Sequence, residues 1–330
     1  MIRHLTALCL ALLPASGFAQ SPCDGTDLIS ALSAPELSKL ESAAANVPFP
    51  EGLLWHAARA DTRITLFGTY HFEHERTGAH MEALKPHIDA ADAVFLELSN
   101  EDQNRAQARI AADPSIMFIM EGPTLPTLLG EEDWQALSAA LSARAIPSFM
   151  AAKFKPIWAA MMLGIGPCEA QNGALNAAGI DERIGLYGAQ IGTGSRSLED
   201  FLTVLTLLDT FPQDEQLDMI RLFFDWQVDA DDVSYTLRTH YLAQQTALLW
   251  EFSRKIALES GAPGAAEDFA RFERLLLNER NAEWMDVLTG DDVSGEVFVA
   301  VGAGHLPGRH GLLNLLQDAG FKVTRLPFEG

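Results

Sequence analysis

The same order of elements occurs near both ends of this 330-residue chain: a strand, a Gly-x-x-His turn, a helix and a second strand. In the first copy, Gly68 and His71 follow the strand pattern RITLF; in the second, Gly302 and His305 follow EVFVAV. A predicted helix then leads to AVFLEL in the first copy and to KVTRL in the second. Two such units predict one mixed sheet, built from pseudo-symmetric βαβ halves and covered by helices.

The segment between the two copies, about 101–290, is predicted to be a large helical insert. Residues fit helical spacing there over five stretches: 135–141, 203–208, 214–226, 233–258 and 269–288. Before the first copy, GLLWHAAR and RITLF are separated by three turn residues, which predicts a hairpin. The expected fold class is therefore α/β. We expect a single domain over 20–330, with α/β halves at 20–100 and 291–330.

The first 19 residues have the features of an export signal. Arg3 supplies a positive start, Leu5–Leu13 forms an apolar core, and the small residues Gly17 and Ala19 precede a cleavage site. The core is shorter than the roughly 20 residues that span a bilayer, and a retained membrane anchor is the alternative. No later stretch of the sequence is apolar for long enough to span. We therefore expect an exported, periplasmic protein without a transmembrane segment after cleavage.

Composition and charge limit the classes of partner. Hydrophobic residues make up 48% of the chain and charged residues 21%, so a sizeable core is available and disorder is not expected. The formal net charge is −22 at pH 7, and loss of Arg3 with the signal makes it more negative by one unit. A surface of this sign repels nucleic acid and anionic lipid headgroups, so neither is expected as a partner. Charge does not identify the substrate or the oligomeric state.

Two cysteines, Cys23 and Cys168, remain after cleavage of the signal. Neither has the spacing of a zinc finger. In an oxidising compartment we expect them to pair as a disulfide, and two free thiols are the alternative.

His71 and His305 each stand just after a predicted strand, where open α/β sheets bind their ligands. The glycines that precede them let the backbone turn sharply and approach a ligand closely. Related halves would bring the two imidazoles to the same edge of one sheet. His74 would form an H-x-x-H pair with His71, but it lies in a polar turn, so we expect it in solvent. Three further histidines are expected on the surface: His80, His87 and His310.

Glu97 lies at the carboxyl end of the apolar strand AVFLEL. A carboxylate at such a position is costly unless it is paired or bound to a cation. Two imidazoles and one carboxylate are a common ligand set for a divalent metal and leave a position open for water. The sequence therefore suggests a metal site made of His71, Glu97 and His305. Arg325 holds the position that matches Glu97 in the second copy, and it would either pair with Glu97, stabilise an anion or lie on the surface.

At these residues the sequence resembles the TraB/GumN family, which also includes the Tiki-like metalloproteases and is distantly related to erythromycin-esterase-like hydrolases. The resemblance covers about 50–330, and its last segment is the most specific. The matching segments are FGTYHF at 67–72, VFLEL at 94–98, KPIWAAMML at 155–163, GID at 179–181, NERNAEWMDVL at 278–288 and VGAGHLPGRHGLLNLLQDAGFKV at 301–323.

This resemblance implies a metal-dependent hydrolytic centre on His71, Glu97 and His305. It also implies that Arg280 and Asn281, which match the family's Arg-Asn pair before a tryptophan, face the site. In many members a hydrophobic residue and then a small polar one follow the first histidine, whereas this chain has the charged segment FEHER. The rim of the site is therefore expected to differ from that of other members.

Three functions remain open at this point. The first is a metal-dependent, metalloprotease-like hydrolase that uses Mn²⁺, Co²⁺ or Zn²⁺ to activate water, while Arg280 and Asn281 orient substrate or stabilise the oxyanion. The second is a metal-free, erythromycin-esterase-like hydrolase in which one histidine, oriented by Glu97, acts as a base on water. The third is a non-catalytic periplasmic protein that binds peptide, haem or metal. A peptide or small molecule is the expected partner in each case.

Overall fold

The structure is a computed structural model that describes residues 23–329 apart from six short gaps. The gaps are 175–177, 203–206, 208–209, 226–227, 260–263 and 292. The predicted export signal lies outside the described residues, as does most of the helix predicted over 203–208.

A six-stranded mixed sheet forms the centre of the fold, in the order β4-β3-β5-β2-β1-β6. Its strands are β1 (Leu54–Arg59), β2 (Thr62–Thr69), β3 (Ala93–Leu96), β4 (Arg196–Ser197), β5 (Gly295–Gly302) and β6 (Lys322–Arg325). The middle pair, β5 and β2, is parallel; β3 and β4 continue the parallel part, and β1 is antiparallel to both of its neighbours. The antiparallel pair β1 and β2 is the predicted hairpin.

Two helices connect the strands of the repeated pattern. α2 (Thr77–Asp89) leads from β2 to β3, and α15 (Leu312–Asp318) leads from β5 to β6. Successive side chains of a strand point to opposite faces, so Phe67 of β2 packs in the buried cluster of α2 and Leu66 in that of α15. The two helices therefore cover opposite faces, and the predicted α/β class with two βαβ units is confirmed.

The two units are not fully equivalent, because β1 takes the place beside β2 that corresponds to the place of β3 beside β5. β3 pairs directly with β5, whereas β6 is separated from β2 by β1. The first unit therefore ends next to the central pair, and the second ends at the edge of the sheet. This places Arg325 on the edge strand, opposite Trp55, where it donates to Gln244 at 3.2 Å. Pairing of Arg325 with Glu97 is wrong, and its surface position is confirmed.

The described part of the insert is mainly helical, as predicted, and contains the two-residue strand β4, which the sequence pattern did not indicate. Its helices are α3 (Asn100–Ala112), α4 (Leu125–Leu129), α5 (Glu131–Ser142), α6 (Ser148–Ala151), α7 (Pro156–Leu163), α8 (Pro167–Gln171), α9 (Ile180–Ile191), α10 (Gln213–Asp225), α11 (Ala230–Leu242), α12 (Thr246–Glu259), α13 (Ala265–Glu273) and α14 (Glu279–Leu288). The single helix predicted over 233–258 is two helices, because the chain turns at Gln244 with a positive φ of 62°. Before the first unit, the described chain forms the helix α1 (Ala34–Ala45).

The predicted helix over 269–288 is continuous but irregular. Between α13 and α14 the segment Arg274–Asn278 is π-helical, with one extra residue in the turn. Such wide turns shift the following side chains around the helix and occur frequently at functional sites. Here the segment immediately precedes Arg280 and Asn281.

A disulfide joins Cys23 to Cys168 of α8, as predicted, and ties the start of the described chain to the insert. Beside it, Arg238 pairs with the buried Glu169 at 2.8 Å and also donates to the carbonyl oxygen of Cys23. Within the described ranges, no helix has the length and apolar character needed to cross a membrane.

Candidate functional site

The carboxyl ends of three neighbouring parallel strands bring the predicted site residues together. In the sheet register, Thr69 at the end of β2 lies opposite Gly302 at the end of β5, and Leu96 of β3 lies opposite Ala300. His71, Glu97 and His305 therefore leave the sheet at the same edge. The remaining two predicted residues, Arg280 and Asn281, reach this edge from the first turn of α14.

Gly302 lies at the centre of this group. A Cβ atom on Gly302 would stand 3.2 Å from Glu97 Oε1, 3.3 Å from His71 Nε2 and 3.6 Å from His305 Cδ2. The two imidazoles and the carboxylate thus surround one small volume, as the repeated motif predicted. A side chain at position 302 would compete for that volume, which is a physical reason for glycine here.

His305 is buried, with 4% of its surface exposed, and contacts at its Nδ1 atom and on its ring fix its orientation. Its Nδ1 lies 2.7 Å from Asn281 Oδ1, and because an amide oxygen can only accept, Nδ1 carries the proton. The Asn281 amide nitrogen donates to the carbonyl oxygens of His305 (3.3 Å) and His310 (2.8 Å). The Trp284 ring packs on the imidazole with centroids 4.4 Å apart. Burial, together with the neighbouring Arg280 charge, lowers the pKa of His305 to about 3, so Nε2 presents a lone pair at neutral pH.

His71 has the opposite environment. Its side chain is 60% exposed, and its Nδ1 lies 3.2 Å from Asp181 Oδ2 in the first turn of α9. The negative charge of Asp181, with a smaller contribution from Glu97, raises the pKa of His71 to about 9. Gly179 makes this contact possible, since a Cβ there would lie 2.1 Å from the carbonyl oxygen of His71. His71 also lines an open cleft of about 290 Å³, together with Glu97, Asp181 and Glu182.

Glu97 is held at both oxygens. Oε1 accepts from the backbone N–H of Gly302 at 2.6 Å, and Oε2 accepts from Arg280 Nη2 at 2.7 Å. Burial opposes its ionisation, but the positive charges of His305, His71 and Arg280 outweigh burial and lower the pKa of Glu97 to about 2. Glu97 is therefore a carboxylate throughout the physiological pH range.

Arg280 connects Glu97 to a second carboxylate that the sequence did not indicate. Its Nε donates to Glu199 Oε2 at 2.9 Å, and its Nη2 donates to the other oxygen of Glu199. Nη1 donates to the carbonyl oxygen of Leu276 in the π-helical segment at 3.0 Å and lies 3.2 Å from His305 Nε2. The guanidinium is thus fixed between Glu97, Glu199 and His305.

The side chains at this edge offer donor atoms that suit a divalent cation, although these atoms do not lie at metal-binding distances from one common point. His71 Nε2, His305 Nε2 and the Glu97 carboxylate are nitrogen and oxygen donors of the kind that Zn²⁺, Mn²⁺ and Co²⁺ accept. Both Nδ1 atoms are held by an acceptor, which is the usual way in which a metal-binding imidazole is oriented. Across the described ranges, no three His, Cys, Asp or Glu side chains stand close enough to hold an ion. Arg280 supplies the positive charge beside Glu97 and His305.

Two of the other histidine predictions are wrong. His74 and His80 are buried, with 8% and 2% of their surfaces exposed, and both rings pack on Tyr241 of α11. Their rings lie 4.9 Å apart, and burial lowers the pKa of each to about 4. His310 is exposed, as predicted, and His87 is partly exposed.

Comparison with known proteins identifies the family of this chain. No curated protein matches the sequence. The model of the TraB/PrgY/gumN family matches residues 53–325, which include both Gly-x-x-His turns, the whole insert and all six strands. The chain therefore belongs to the TraB/PrgY/gumN family.

Proposed function

We propose that this chain is a metal-dependent hydrolase that cleaves peptide bonds. The observation that supports the proposal best is the arrangement around Gly302, where His71 Nε2, the His305 ring and Glu97 Oε1 meet. Asp181 and Asn281 hold the Nδ1 atoms on the far sides of the two rings. Such support on both imidazoles is expected of a binding site and is not needed by two independent surface or core histidines.

In this proposal His71, Glu97 and His305 would hold a divalent ion, which could be Mn²⁺, Co²⁺ or Zn²⁺. When bound, the ion lowers the pKa of water and polarises a carbonyl group. Arg280 lies next to Glu97 and His305, so its guanidinium is in position to stabilise negative charge on the carbonyl oxygen under attack. Asn281 has a different role, because its amide is engaged with His305 and His310, and it positions His305 instead of contacting substrate.

The pKa values favour this reaction over the metal-free alternative. A general base works best when its pKa lies near the operating pH. Glu97 and His305, with pKa values of about 2 and 3, are weak bases, and His71, with a pKa of about 9, is protonated at neutral pH. A metal-free hydrolase would therefore lack a suitable base among these three groups, whereas a bound cation would lower the pKa of water enough for solvent to take its proton. A non-catalytic binding protein, in contrast, would retain its ligand without turnover.

We also propose that the protein is exported and works in the periplasm. The disulfide between Cys23 and Cys168 supports an oxidising compartment, where such bonds persist. The residues that would form the signal lie outside the described ranges.

Metal analysis of purified protein tests the proposed function. Wild type should contain close to one equivalent of metal and hydrolyse peptides, whereas His71→Ala and His305→Ala should lose most of both. His310→Ala removes an exposed histidine from the same loop and should retain both. Equal metal content in all four proteins would overturn the proposal. If the two histidine variants lost the metal but wild type showed no peptide hydrolysis, the result would support the binding-protein alternative.

A further inference from the structure

A second cavity, distinct from the cleft at His71, lies behind the second Gly-x-x-His turn. Its volume is about 280 Å³, which suits a small molecule. It is lined by Trp250 and Glu251 of α12, by Glu273 at the end of α13, and by residues of the loop 304–311. Asn281, which positions His305, lines this cavity as well.

The charged groups of the cavity are arranged for a cation. The Glu251 side chain, 12% exposed, pairs with Arg254, so its charge is largely compensated. Glu273 accepts from Trp250 Nε1 at 2.8 Å, and within the described ranges no lysine or arginine forms an ion pair with it. Arg309 also lines the cavity, but it is exposed, so water screens its charge more strongly. The uncompensated inner charge is therefore negative.

Trp250 is the second group in the cavity that would attract a positive charge. It is half-buried among the rings of Phe269 and Phe272, with centroids 5.4 and 6.4 Å away, so its position is fixed. An aromatic ring beside a carboxylate is the combination that binds organic ammonium groups, because both attract positive charge. A metal ion would instead need several ligands close together, and among the described residues no three His, Cys, Asp or Glu side chains stand close enough to hold one.

Asn281 gives the cavity a connection to the candidate active site. The same amide accepts from His305 Nδ1 and donates to the backbone of His305 and His310 at the two ends of the loop. A ligand that presses on Asn281 or on this loop acts on groups that fix the His305 ring. Occupation of the cavity should therefore stabilise the loop in the conformation that orients His305.

We infer that this cavity is a second binding site for a small organic ammonium ion, held by Glu273 and Trp250 and coupled to His305 through Asn281. The inference does not depend on the proposed hydrolysis, because binding and loop protection are measurable without turnover.

Calorimetric titration with pentane-1,5-diamine tests the inference, with pentane-1,5-diol as the neutral probe of the same length. The diamine should bind wild type below about 10 mM, and the diol should not. Glu273→Gln keeps an acceptor for Trp250 and should weaken diamine binding at least tenfold. Glu267→Gln makes the same change of charge on an exposed position of the same helix and should leave binding unchanged. The diamine should also slow amide hydrogen exchange in 302–311.

A further variant covers the case in which Glu273→Gln does not fold. Asn278→Lys places a competing ammonium group at the cavity and should abolish diamine binding. Equal weakening by Glu273→Gln and Glu267→Gln would show attraction to the acidic surface in general and would overturn the inference. Binding of the diol as tight as that of the diamine, or the absence of diamine binding, would overturn it as well.

Discussion

The two Gly-x-x-His turns share a sequence pattern and a position at the end of a strand, yet they give their histidines opposite properties. His305 is buried against Trp284, held by the neutral Asn281, and has a pKa of about 3. His71 is exposed, held by the negatively charged Asp181, and has a pKa of about 9. A shared motif therefore fixes where the ring leaves the sheet, whereas the partner of Nδ1 and the degree of burial determine its charge.

This difference gives the two turns separate roles in the proposed site. His305 offers a lone pair at neutral pH without any proton release, and it sits on a rigid support. His71 faces the open cleft and must lose a proton before it can bind a cation. The buried turn is thus a fixed part of the site, and the exposed turn is the part that responds to pH and to the ligand.

The largest expected effect on metal binding distinguishes Asn281, which holds His305, from Asp181, which holds His71. Asn281→Ala should weaken binding of Zn²⁺ by about 100-fold, because the buried His305 has no replacement partner. Asp181→Ala should change binding little near neutral pH, because the lost support of His71 is offset by a lower His71 pKa, which makes the ring easier to deprotonate. Competition with a chelator of known affinity measures both. Equal losses in the two variants would contradict the distinction between the turns.

The pH dependence of metal binding should come from the exposed turn alone. Between pH 6.5 and 9, Glu97 and His305 are already deprotonated, whereas His71 is protonated until its pKa of about 9. Affinity should therefore rise by about tenfold per pH unit over this range and level off above it. Dissociation constants measured in a non-coordinating buffer test this. An affinity that does not change with pH would mean that His71 is not a ligand.

The sequence predicted the part of the site that depends on strand order and register. Once His71, Glu97 and His305 were each assigned to the end of a strand, the parallel neighbours β2, β5 and β3 left them little freedom. The edge position of Arg325 shows the limit of this reasoning, because the repeated pattern could not reveal that β1 would separate β6 from β2.

The supports of the site depend on tertiary packing and were not predictable in the same way. Glu199 comes to Glu97 because the two-residue strand β4 pairs with β3, and no periodicity marks so short a strand. Asp181 lies in the first turn of α9, a helix of the insert. Nothing in the local sequence GID indicates that its aspartate would contact an imidazole. His74 was predicted to be exposed because it lies in a polar turn, but later elements cover this turn, since His80 of α2 and Tyr241 of α11 pack on its ring.

Replacement of the charged support should make the two histidines more alike. In Asp181→Asn the main cause of the high pKa of His71 is removed, so this pKa should fall by at least one unit from about 9, which is a tenfold change in proton affinity. Histidine ring signals followed by NMR over pH 5–10 give the value. The His305 signals should show no titration in this range in either protein, and an unchanged His71 pKa would contradict the role given to Asp181.

Folding stability should show the smallest effect, with opposite signs for the two turns. The folded pKa of His71, about 9, lies above its ordinary value of 6.5, so the stability it contributes is complete below pH 6.5 and is lost as pH rises through 9. The folded pKa of His305, about 3, lies below 6.5, so the unfolded chain binds the extra proton and stability falls as pH decreases from 6.5 towards 3.

His71→Gln should therefore flatten only the alkaline side of the curve of unfolding free energy against pH, and His310→Gln should leave both sides unchanged. Because His71 is largely exposed, the change on the alkaline side should be modest, and urea unfolding at intervals over pH 5–10 would measure it. A steeper alkaline side in His71→Gln would show that the proton on His71 does not stabilise the folded protein.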